Sequence, residues 1–542
     1  MLLAAAALIA CDGDTDGATP AATADATAEP TATIEGSNDP DPDATPTPIP
    51  PVTPSVIPDS ADVEPETGDW AQANGGHRNT RARESEITEA TVDRLEEAWR
   101  VPFSGRGPYG AAAGAPVIAD GVAYMQDLGG GVIAVDLETG DHLWEYDDGI
   151  PVSGPNGPAV ADGRVFVSAG SERVVALDAE DGEVLWDVPI EKDGFQPVVY
   201  GDMVLVGTGA LAHVAGQSGF VHALDVATGA ALWSFQVIEE GFWGDEGLNS
   251  GGGVWMPPAI DPVRGLAYFG TGNAGPYPGT VDYPNGESRP GDNLYTSSMV
   301  ALDLQDGSVQ WHYQAVPHGL FDHDFHTSPI IVSLTFDGEA HEVAIGSGKL
   351  GRITAIDLES HEVIWDTPVG THQNDELDAV PPGEVIEVYP GIFGGVETPM
   401  AAAGDRVFAA VVNLPTRHTS TGHGALDGSS ALLNAAGATN FALGEGELVA
   451  LDVGSGEVLW TQPLAGIAFG GATVVGDLVF TGTYNGVITA HRITDGEEVW
   501  RLETGGINAW PAVSADGATI VWPIGLGGAP HLLALRLADI AP

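Results

Sequence analysis

The chain has 542 residues and carries 77 acidic against 18 basic side chains, so its formal net charge at neutral pH is −59. This acidity argues against nucleic acid and against anionic lipid surfaces as electrostatic partners, because both are bound through lysine and arginine. A single cysteine, Cys11, excludes an internal disulfide, a cysteine-rich metal site and the C-x-x-C-H haem motif. The 74 glycines and 39 prolines indicate many turns rather than long helices.

The N-terminus predicts an exported protein. An apolar run from Met1 to Ala10 ends at Cys11, and Leu8-Ile9-Ala10-Cys11 is similar to a bacterial lipobox, in which the cysteine becomes lipidated after cleavage. The run is too short to span a bilayer as a helix. We therefore predict that residues 1–11 are a lipoprotein signal peptide, and that the protein sits at the periplasmic or extracellular face of the cell envelope, with Cys11 as its only membrane anchor. The alternative is a chance cysteine in an ordinary secretory signal.

Residues 12–68 are rich in Ala, Thr, Pro, Asp and Glu and contain almost no large apolar side chain. Such a segment buries too little apolar surface to offset the entropy of ordering the chain. We predict that it is a disordered tether, and that the folded domain covers residues 69–542.

A repeated pattern runs through that domain. Each copy reads apolar-Ala-Leu-Asp, two residues, then Thr/Ser/Asp-Gly, with a tryptophan four residues after the glycine. The alternating apolar residues indicate a strand, Asp stabilises a turn, and Gly supplies the positive φ that the turn needs. Each copy is therefore predicted to be a hairpin whose tryptophan packs one sheet against the next. The tryptophans of the seven copies are Trp144, Trp186, Trp233, Trp311, Trp365, Trp460 and Trp500.

The number of tryptophan strands predicts the architecture. The fifth copy has His361 in place of glycine, and an eighth tryptophan, Trp99, ends a strand that has no preceding turn. Repeats of this length are typical of propellers and solenoids. Eight such strands predict an all-β, eight-bladed β-propeller. Pairing the strand at Trp99 with the C-terminal strands would close the ring and remove an exposed sheet edge.

Beyond the repeat, the sequence resembles the quinoprotein alcohol dehydrogenases, eight-bladed propellers that bind pyrroloquinoline quinone (PQQ) and usually Ca²⁺. The resemblance covers roughly residues 69 to 542. The segments that carry it are Asp69 to Trp99, Gly251-Gly252-Gly253-Val254-Trp255, Tyr268-Phe269-Gly270-Thr271-Gly272-Asn273, Arg289-Pro290-Gly291-Asp292-Asn293-Leu294, Trp311 to His318 and Gly348-Lys349-Leu350-Gly351.

The resemblance implies a role for four residues. Trp255 would be the flat platform for PQQ, and Lys349, one of only two lysines, would lie against the quinone carbonyls. Asn273 would bind Ca²⁺ as an oxygen ligand. Asp292 would be the general base that accepts the hydroxyl proton and a further metal ligand. Each residue also has a structural interpretation, as a core aromatic, a turn residue or a surface lysine.

The sequence also departs from the family. Its paired adjacent cysteines are absent, as is the acidic residue expected near Ala112. The loop expected to carry its Glu ligand to calcium has only His213 as a strong ligand, and imidazole suits Ca²⁺ poorly. An Asn-Trp pair expected near residue 397 reads Glu397-Thr398. These departures leave open that the cofactor is held differently, with a different metal, or not at all.

Two polar clusters are specific to this chain. One contains His318, Asp322, His323, Asp324 and His326, and the other contains His372, Asn374 and Asp375. Histidine and aspartate at such spacing bind transition metals in some proteins. The alternative interpretation is that both clusters are hydrogen-bonded polar loops.

Three functions follow from the sequence. The leading hypothesis is an exported, lipid-anchored PQQ dehydrogenase that oxidises an alcohol or sugar-like hydroxyl and passes electrons to an external acceptor. The second is a non-catalytic propeller with the same repeat, acting as a binding or assembly scaffold at the cell envelope. The third is a propeller that binds extracellular polysaccharide. The enzyme hypothesis requires Asp292, Asn273, Trp255 and Lys349 to converge.

Overall fold

A computed structural model of the chain describes residues 60–61, 63–424 and 441–538, apart from residues 108, 171, 211–214, 240, 242, 246 and 337. Within these residues the protein is an eight-bladed β-propeller of four-stranded antiparallel sheets, as predicted. Helical structure is limited to the 3-10 turns Val92–Arg94, Pro284–Gly286 and Phe441–Leu443 in the described ranges. None of the helices described is long and apolar enough to cross a membrane.

The blades follow one another in chain order. Blade 1 consists of Val117–Ala119, Val122–Gln126, Val132–Asp136 and His142–Tyr146, and blade 2 consists of Ala159–Ala161, Arg164–Ala169, Arg173–Asp178 and Val184–Pro189. Blade 3 consists of Val198–Tyr200, Met203–Gly207, Phe220–Asp225 and Ala231–Gln236. Blade 4 consists of Ala259–Asp261, Leu266–Gly270, Ser298–Asp303 and Val309–Gln314. Blade 5 consists of Ile330–Phe336, Glu339–Gly346, Arg352–Asp357 and Val363–Pro368. Blade 6 consists of Ala401–Ala403, Arg406–Asn413, Glu445–Asp452 and Val458–Pro463. Blade 7 consists of Thr473–Val475, Leu478–Gly482, Val487–Arg492 and Glu498–Glu503. Blade 8 contains Ala512–Val513, Thr519–Ile524 and His531–Leu537.

The two ends of the domain complete the eighth blade together. Leu95–Pro102 pairs antiparallel with His531–Leu537, which places Trp99 opposite Ala534. The predicted closure of the ring is therefore correct. A second N-terminal strand, Ala82–Arg83, adds in parallel to the first strand of blade 7.

The ordered N-terminal part begins earlier than the sequence predicted. Ser60–Ala61 pairs antiparallel with the first strand of blade 5, and Val63 forms a bridge with Gly404. These residues of the predicted tether thus make backbone contacts with blades 5 and 6, because a short segment poor in apolar residues gains backbone hydrogen bonds along an available strand edge. The predicted lipidation site Cys11 and most of the predicted tether lie outside the described residues.

Tryptophans join the blades, as the repeat predicted. In six blades the indole N–H donates to a backbone carbonyl in the turn of the following blade, at 2.9 to 3.1 Å. The ring lies against the glycine of that turn, and a Cβ added at Gly307 would stand 2.4 Å from Trp233 Cε3. The glycine is therefore required both for its φ of +73° and for the close approach of the indole.

The fifth copy shows how the pattern tolerates an exception. His361 replaces the glycine, keeps a positive φ of 62°, and stacks on Trp311 with 4.7 Å between ring centroids. The Trp311 indole nitrogen has no hydrogen-bond partner among the described residues. An aromatic stack thus takes the place of the glycine contact at this junction.

We expect Gly307→Ala to destabilise the propeller through this contact. Gly265 is the matched control, because it has a similar φ of +70° but no atom within 4 Å of an added Cβ. The added methyl should lower the free energy of unfolding by about 1–3 kcal/mol more at residue 307 than at residue 265, since only the former is forced against an indole. Urea unfolding of both variants measures the difference. Equal decreases in the free energy of unfolding would show that backbone strain alone explains why glycine is needed at residue 307.

Candidate active site

Lys349 lies at the centre of a buried cluster of charged side chains. It follows the second strand of blade 5, and its Nζ is 3.1 Å from Asp322 Oδ2 and 2.9 Å from Asp324 Oδ2. Both aspartates lie on the connection from blade 4 to blade 5. All three side chains are nearly inaccessible to solvent. Two carboxylates and one ammonium group are therefore held together where water screens their interaction poorly.

The two aspartates differ in how firmly they are held. Asp324 is fully buried, and its Oδ1 accepts a hydrogen bond of 2.5 Å from the backbone N–H of Asn273. Asp322 is slightly more accessible, and it accepts a hydrogen bond from the Tyr277 hydroxyl in addition to that from Lys349. Asp322 is therefore the carboxylate of the pair with more freedom to meet a small molecule.

Trp255 forms an aromatic surface beside the cluster. Lys349 Nζ lies 4.4 Å from the centroid of its ring, and the fully buried His326 stacks on it at 4.6 Å and 17°. Gly253 and Gly272 flank the indole, and an added Cβ would lie 2.8 and 3.1 Å from Trp255 Nε1, respectively. Trp255 itself is only partly buried. The ring is thus rigidly supported and still accessible at the edge of the cluster.

Glu397 adds a third carboxylate. Val396 N–H donates to the Gly348 carbonyl at 3.0 Å, which brings the segment before blade 6 against Lys349. A Cβ at Gly395 would lie 2.5 Å from the Lys349 carbonyl, so glycine is needed for this approach. Glu397 Oε1 has no hydrogen-bond partner among the described residues. An unpaired buried oxygen of this kind is available to a ligand or to water.

Burial and charge shift the pKa values within the cluster. Burial raises the pKa of Asp322 to about 7, against the lowering effect of Lys349. Burial raises the pKa of Glu397 to about 8. Burial opposes the charge of Lys349, but Asp322, Asp324 and Glu397 outweigh that effect and raise its pKa well above the ordinary value. Burial lowers the pKa of His326 to about 4, so this imidazole is neutral at physiological pH.

The raised pKa of Glu397 predicts a pH-dependent stability. Between about pH 4.5 and 8 the unfolded chain ionises this group while the folded protein keeps it protonated, so its stabilising contribution is lost as pH rises through that window. We expect the melting temperature of Glu397→Gln to rise relative to that of the unaltered protein as pH increases from 5 to 8.5. Calorimetry of both cofactor-free proteins tests this. A difference that does not change with pH would contradict the assigned shift.

Three of the four predicted site residues come together. Lys349 contacts both Trp255 and Asp324, and Asn273 reaches Asp324 through its backbone N–H. Asp292 does not join them: its side chain is exposed at the Pro-Gly turn, and no described hydrogen bond or ion pair links it to the cluster. Sequence reasoning placed Asp322 and Asp324 in a local polar loop. Their separation of only two residues, close after the Trp311 to His318 segment, was the available signal.

In the two polar clusters predicted from the sequence, several side chains lie within hydrogen-bond distance of each other or of backbone carbonyls. His372 Nδ1 lies 2.6 Å from Asp375 Oδ2, and its Nε2 lies 3.0 Å from the Gly351 carbonyl. His323 Nε2 lies 3.2 Å from the Pro390 carbonyl, and Asn374 donates to the Glu387 carbonyl at 2.8 Å. In the part of the chain that the structure describes, no three His, Cys, Asp or Glu side chains are grouped as a metal site. The side chains of the second cluster are thus tied by hydrogen bonds, whereas Asp322 and Asp324 of the first cluster pair with Lys349.

The cluster suits a flat anionic cofactor better than it suits a metal. A partly exposed indole, a buried ammonium group and the unpaired Glu397 oxygen lie together. For a hard cation, Asn273 and Asp324 offer oxygen ligands of the correct kind, but too few to complete its coordination. His213, in the loop where the sequence analysis expected a carboxylate, lies outside the described residues.

Two family models and several known proteins are similar to parts of this chain. The family model of the glucose, ethanol and alcohol dehydrogenase β-propeller domain, named PQQ, matches residues 69–157 and 191–352. A second model, described as outer membrane protein assembly factor BamB, matches residues 392–527. The quinoprotein alcohol dehydrogenase PedH of Pseudomonas putida is 29% identical over 503 residues, which cover 81% of this chain and 83% of that protein.

Solved structures show the same fold. The quinohemoprotein alcohol dehydrogenase ADHIIG of Pseudomonas putida HK5 superposes with a TM-score of 0.74 at 22% identity, covering 88% of this chain and 81% of its own. A europium-containing methanol dehydrogenase superposes with a TM-score of 0.73 at 21% identity, covering 87% and 98%. The chain therefore has the eight-bladed propeller fold of these structures. The predicted resemblance to the quinoprotein alcohol dehydrogenases is confirmed.

Proposed function

We propose that this protein is a quinoprotein dehydrogenase that oxidises an alcohol or sugar-like hydroxyl, uses PQQ as hydride acceptor and passes the electrons to an external acceptor. The observation that carries the proposal is the meeting of Asp322, Asp324 and Lys349 beside Trp255. A scaffold has no need to bury two carboxylates and a lysine next to an accessible aromatic ring, because such a group is costly to desolvate.

Asp322 is the general base in this proposal, in place of Asp292. Oxidation of an alcohol to a carbonyl removes one proton from the hydroxyl and one hydride from its carbon. Asp322 accepts the proton, because it is the more accessible carboxylate and its pKa near 7 matches the task at neutral pH. Bound PQQ supplies the two-electron acceptor for the hydride.

Lys349 and Trp255 would hold the cofactor. With the cofactor bound, the ammonium group of Lys349, which lies beside the Trp255 ring, would stabilise negative charge on the reduced quinone, and the ring would orient a flat molecule. Asn273 and Asp324 would supply two of the oxygen ligands of a hard cation such as Ca²⁺ or a lanthanide, which would polarise a carbonyl oxygen. Removal of such a cation by a chelator should lower activity, and readdition should restore it.

The cell-envelope location is part of the proposal. Leu8-Ile9-Ala10-Cys11 supports lipidation at Cys11, and residues 12–59 supply a long polar connection between that anchor and the propeller. Metabolic labelling of expressed protein with a fatty acid tests this directly. Label that persists in a Cys11→Ala variant would contradict the anchor.

The decisive experiment is reconstitution. Purified protein is titrated with PQQ in the presence of Ca²⁺ or La³⁺, and quinone absorbance and dye reduction are followed with a panel of primary alcohols, diols and sugars. We expect saturable PQQ binding and alcohol-dependent dye reduction. Absence of both, in folded protein with either cation, would contradict the proposal.

One observation favours a second candidate, a scaffold at the cell envelope. Residues 392–527, which include blades 6 and 7 and part of blade 8, match the family model described as an outer membrane protein assembly factor. That segment contains Glu397 but none of Trp255, Asp322, Asp324 and Lys349. Folded protein that binds no PQQ but copurifies with outer-membrane proteins would favour the scaffold.

A further inference from the structure

Arg289 is a fully buried guanidinium group with no carboxylate partner among the described ion pairs. Its donors reach Asn293 Oδ1 at 2.5 Å, the Gly319 carbonyl at 2.6 Å and the Pro276 carbonyl at 3.2 and 3.3 Å. Burial lowers its pKa to about 10, so it stays charged at neutral pH. A buried charge that is held only by neutral groups is costly, and it indicates a specific role for these hydrogen bonds.

The two carbonyls belong to the two loops that meet at the candidate base. Pro276 immediately precedes Tyr277, and Gly319 lies three residues before Asp322. The planar guanidinium group thus bridges the loop that supplies a hydroxyl donor and the loop that supplies the carboxylate.

The rest of the motif reinforces the bridge. Asn293 N–H donates to the Pro317 carbonyl at 2.8 Å, and its side-chain amide donates to the Arg289 carbonyl at 2.8 Å. His318 Nδ1 lies 3.1 Å from the Gly291 carbonyl. The segment from Arg289 to Asn293 therefore holds the loop that leads to Asp322, and its exposed Asp292 takes no part in these contacts.

We propose that Arg289 is a positioning residue that holds Tyr277 in hydrogen-bond contact with Asp322 and so fixes the orientation of the base. This inference rests on the proposed dehydrogenase function. The Tyr277 hydroxyl donates to Asp322, and Tyr277 packs against Ile392 on its other side. Without Arg289, the two loops lose a side chain that hydrogen-bonds to backbone carbonyls of both.

The test is a double-mutant cycle in PQQ-reconstituted protein. Arg289→Met and Tyr277→Phe should each lower kcat. In Arg289→Met the decrease relative to the unaltered protein should be on the order of 10- to 100-fold, because small displacements of a catalytic group slow the reaction by that much. The KM for alcohol and the Kd for PQQ should change by less than about threefold. The double variant should be no slower than the slower single variant, since both changes break one contact.

Three further measurements make the result specific. Added guanidinium ion should restore part of the kcat of Arg289→Met, whereas Arg289→Lys should remain impaired because ammonium does not bridge two loops. Arg264→Met removes an arginine paired with Asp261 at a blade 4 turn and should leave kcat unchanged. Hydrogen exchange should show faster exchange in residues 317–324 of Arg289→Met, and this readout needs no activity.

The inference and the proposed function fail differently. If the unaltered protein binds PQQ and turns over but Arg289→Met keeps full kcat, or if the two losses multiply in the double variant, the positioning role is wrong. If exchange in residues 317–324 is unchanged in Arg289→Met, the bridge does not hold this loop. If the unaltered protein itself shows no turnover, the proposed function fails. Faster hydrogen exchange in Arg289→Met would then support only the statement that Arg289 holds the loop of residues 317–324.

Discussion

Asp322→Asn is expected to lower kcat by about 100- to 10,000-fold, which is the usual contribution of a general base. The amide has nearly the same shape as the carboxylate and can still accept from Lys349, but it cannot take the hydroxyl proton. PQQ binding should persist, because neither Trp255 nor the charge of Lys349 is altered. Steady-state dye reduction and PQQ titration of the reconstituted variant measure the two effects separately.

Asp292→Asn is the matched control for this substitution. It is the same chemical change at the aspartate that the sequence motif suggested, but its side chain is exposed and contacts none of the cluster in the described structure. We expect kcat within about twofold of the unaltered protein, as for most surface substitutions. If Asp292→Asn abolished turnover and Asp322→Asn did not, the base would be assigned to the wrong loop.

Lys349→Met is expected to have the largest effect on stability. Removing the ammonium group leaves Asp322 and Asp324 buried without their counter-ion, and breaking a buried ion pair from one side costs about 3–5 kcal/mol. Denaturant unfolding of the cofactor-free protein measures this loss. PQQ affinity should also fall, because the group proposed to face the quinone is gone.

The chain offers two controls for Lys349→Met. Lys192, the only other lysine, is outside the cluster, and Lys192→Met should leave the free energy of unfolding nearly unchanged. The triple variant Lys349→Met, Asp322→Asn and Asp324→Asn removes the whole charge group and should recover much of the stability lost in Lys349→Met. A triple variant that is less stable than Lys349→Met would show that the aspartates stabilise the fold independently of the lysine.

The architecture was predictable because the repeat is local. Most copies contain the strand, the turn aspartate, the glycine and the tryptophan that one hairpin needs, so the period of the repeat indicates a propeller. The same locality explains the departure in the fifth copy. His361 replaces the turn glycine in the sequence, and in the structure it stacks on Trp311. The strand of Trp99 was similarly assigned to the blade that closes the ring.

The candidate site was predictable only in part. Trp255, Asn273 and Lys349 were found through motifs that resemble the family. The base was assigned to the most motif-like aspartate, Asp292, while Asp322 was read as part of a polar loop. A motif shows which residues a segment contains, but it does not show which side chains meet in the folded protein.

The sequence by itself determined the repeat unit, the number of blades, the closure of the ring and the scarcity of lysine that singled out Lys349. Only the tertiary structure decided which acids face that lysine. Asp322, Asp324 and Glu397 belong to connections between different blades, and their meeting depends on close backbone approaches at Gly348 and Gly395. Those approaches arise from the packing of whole blades around a ring, which no local pattern encodes.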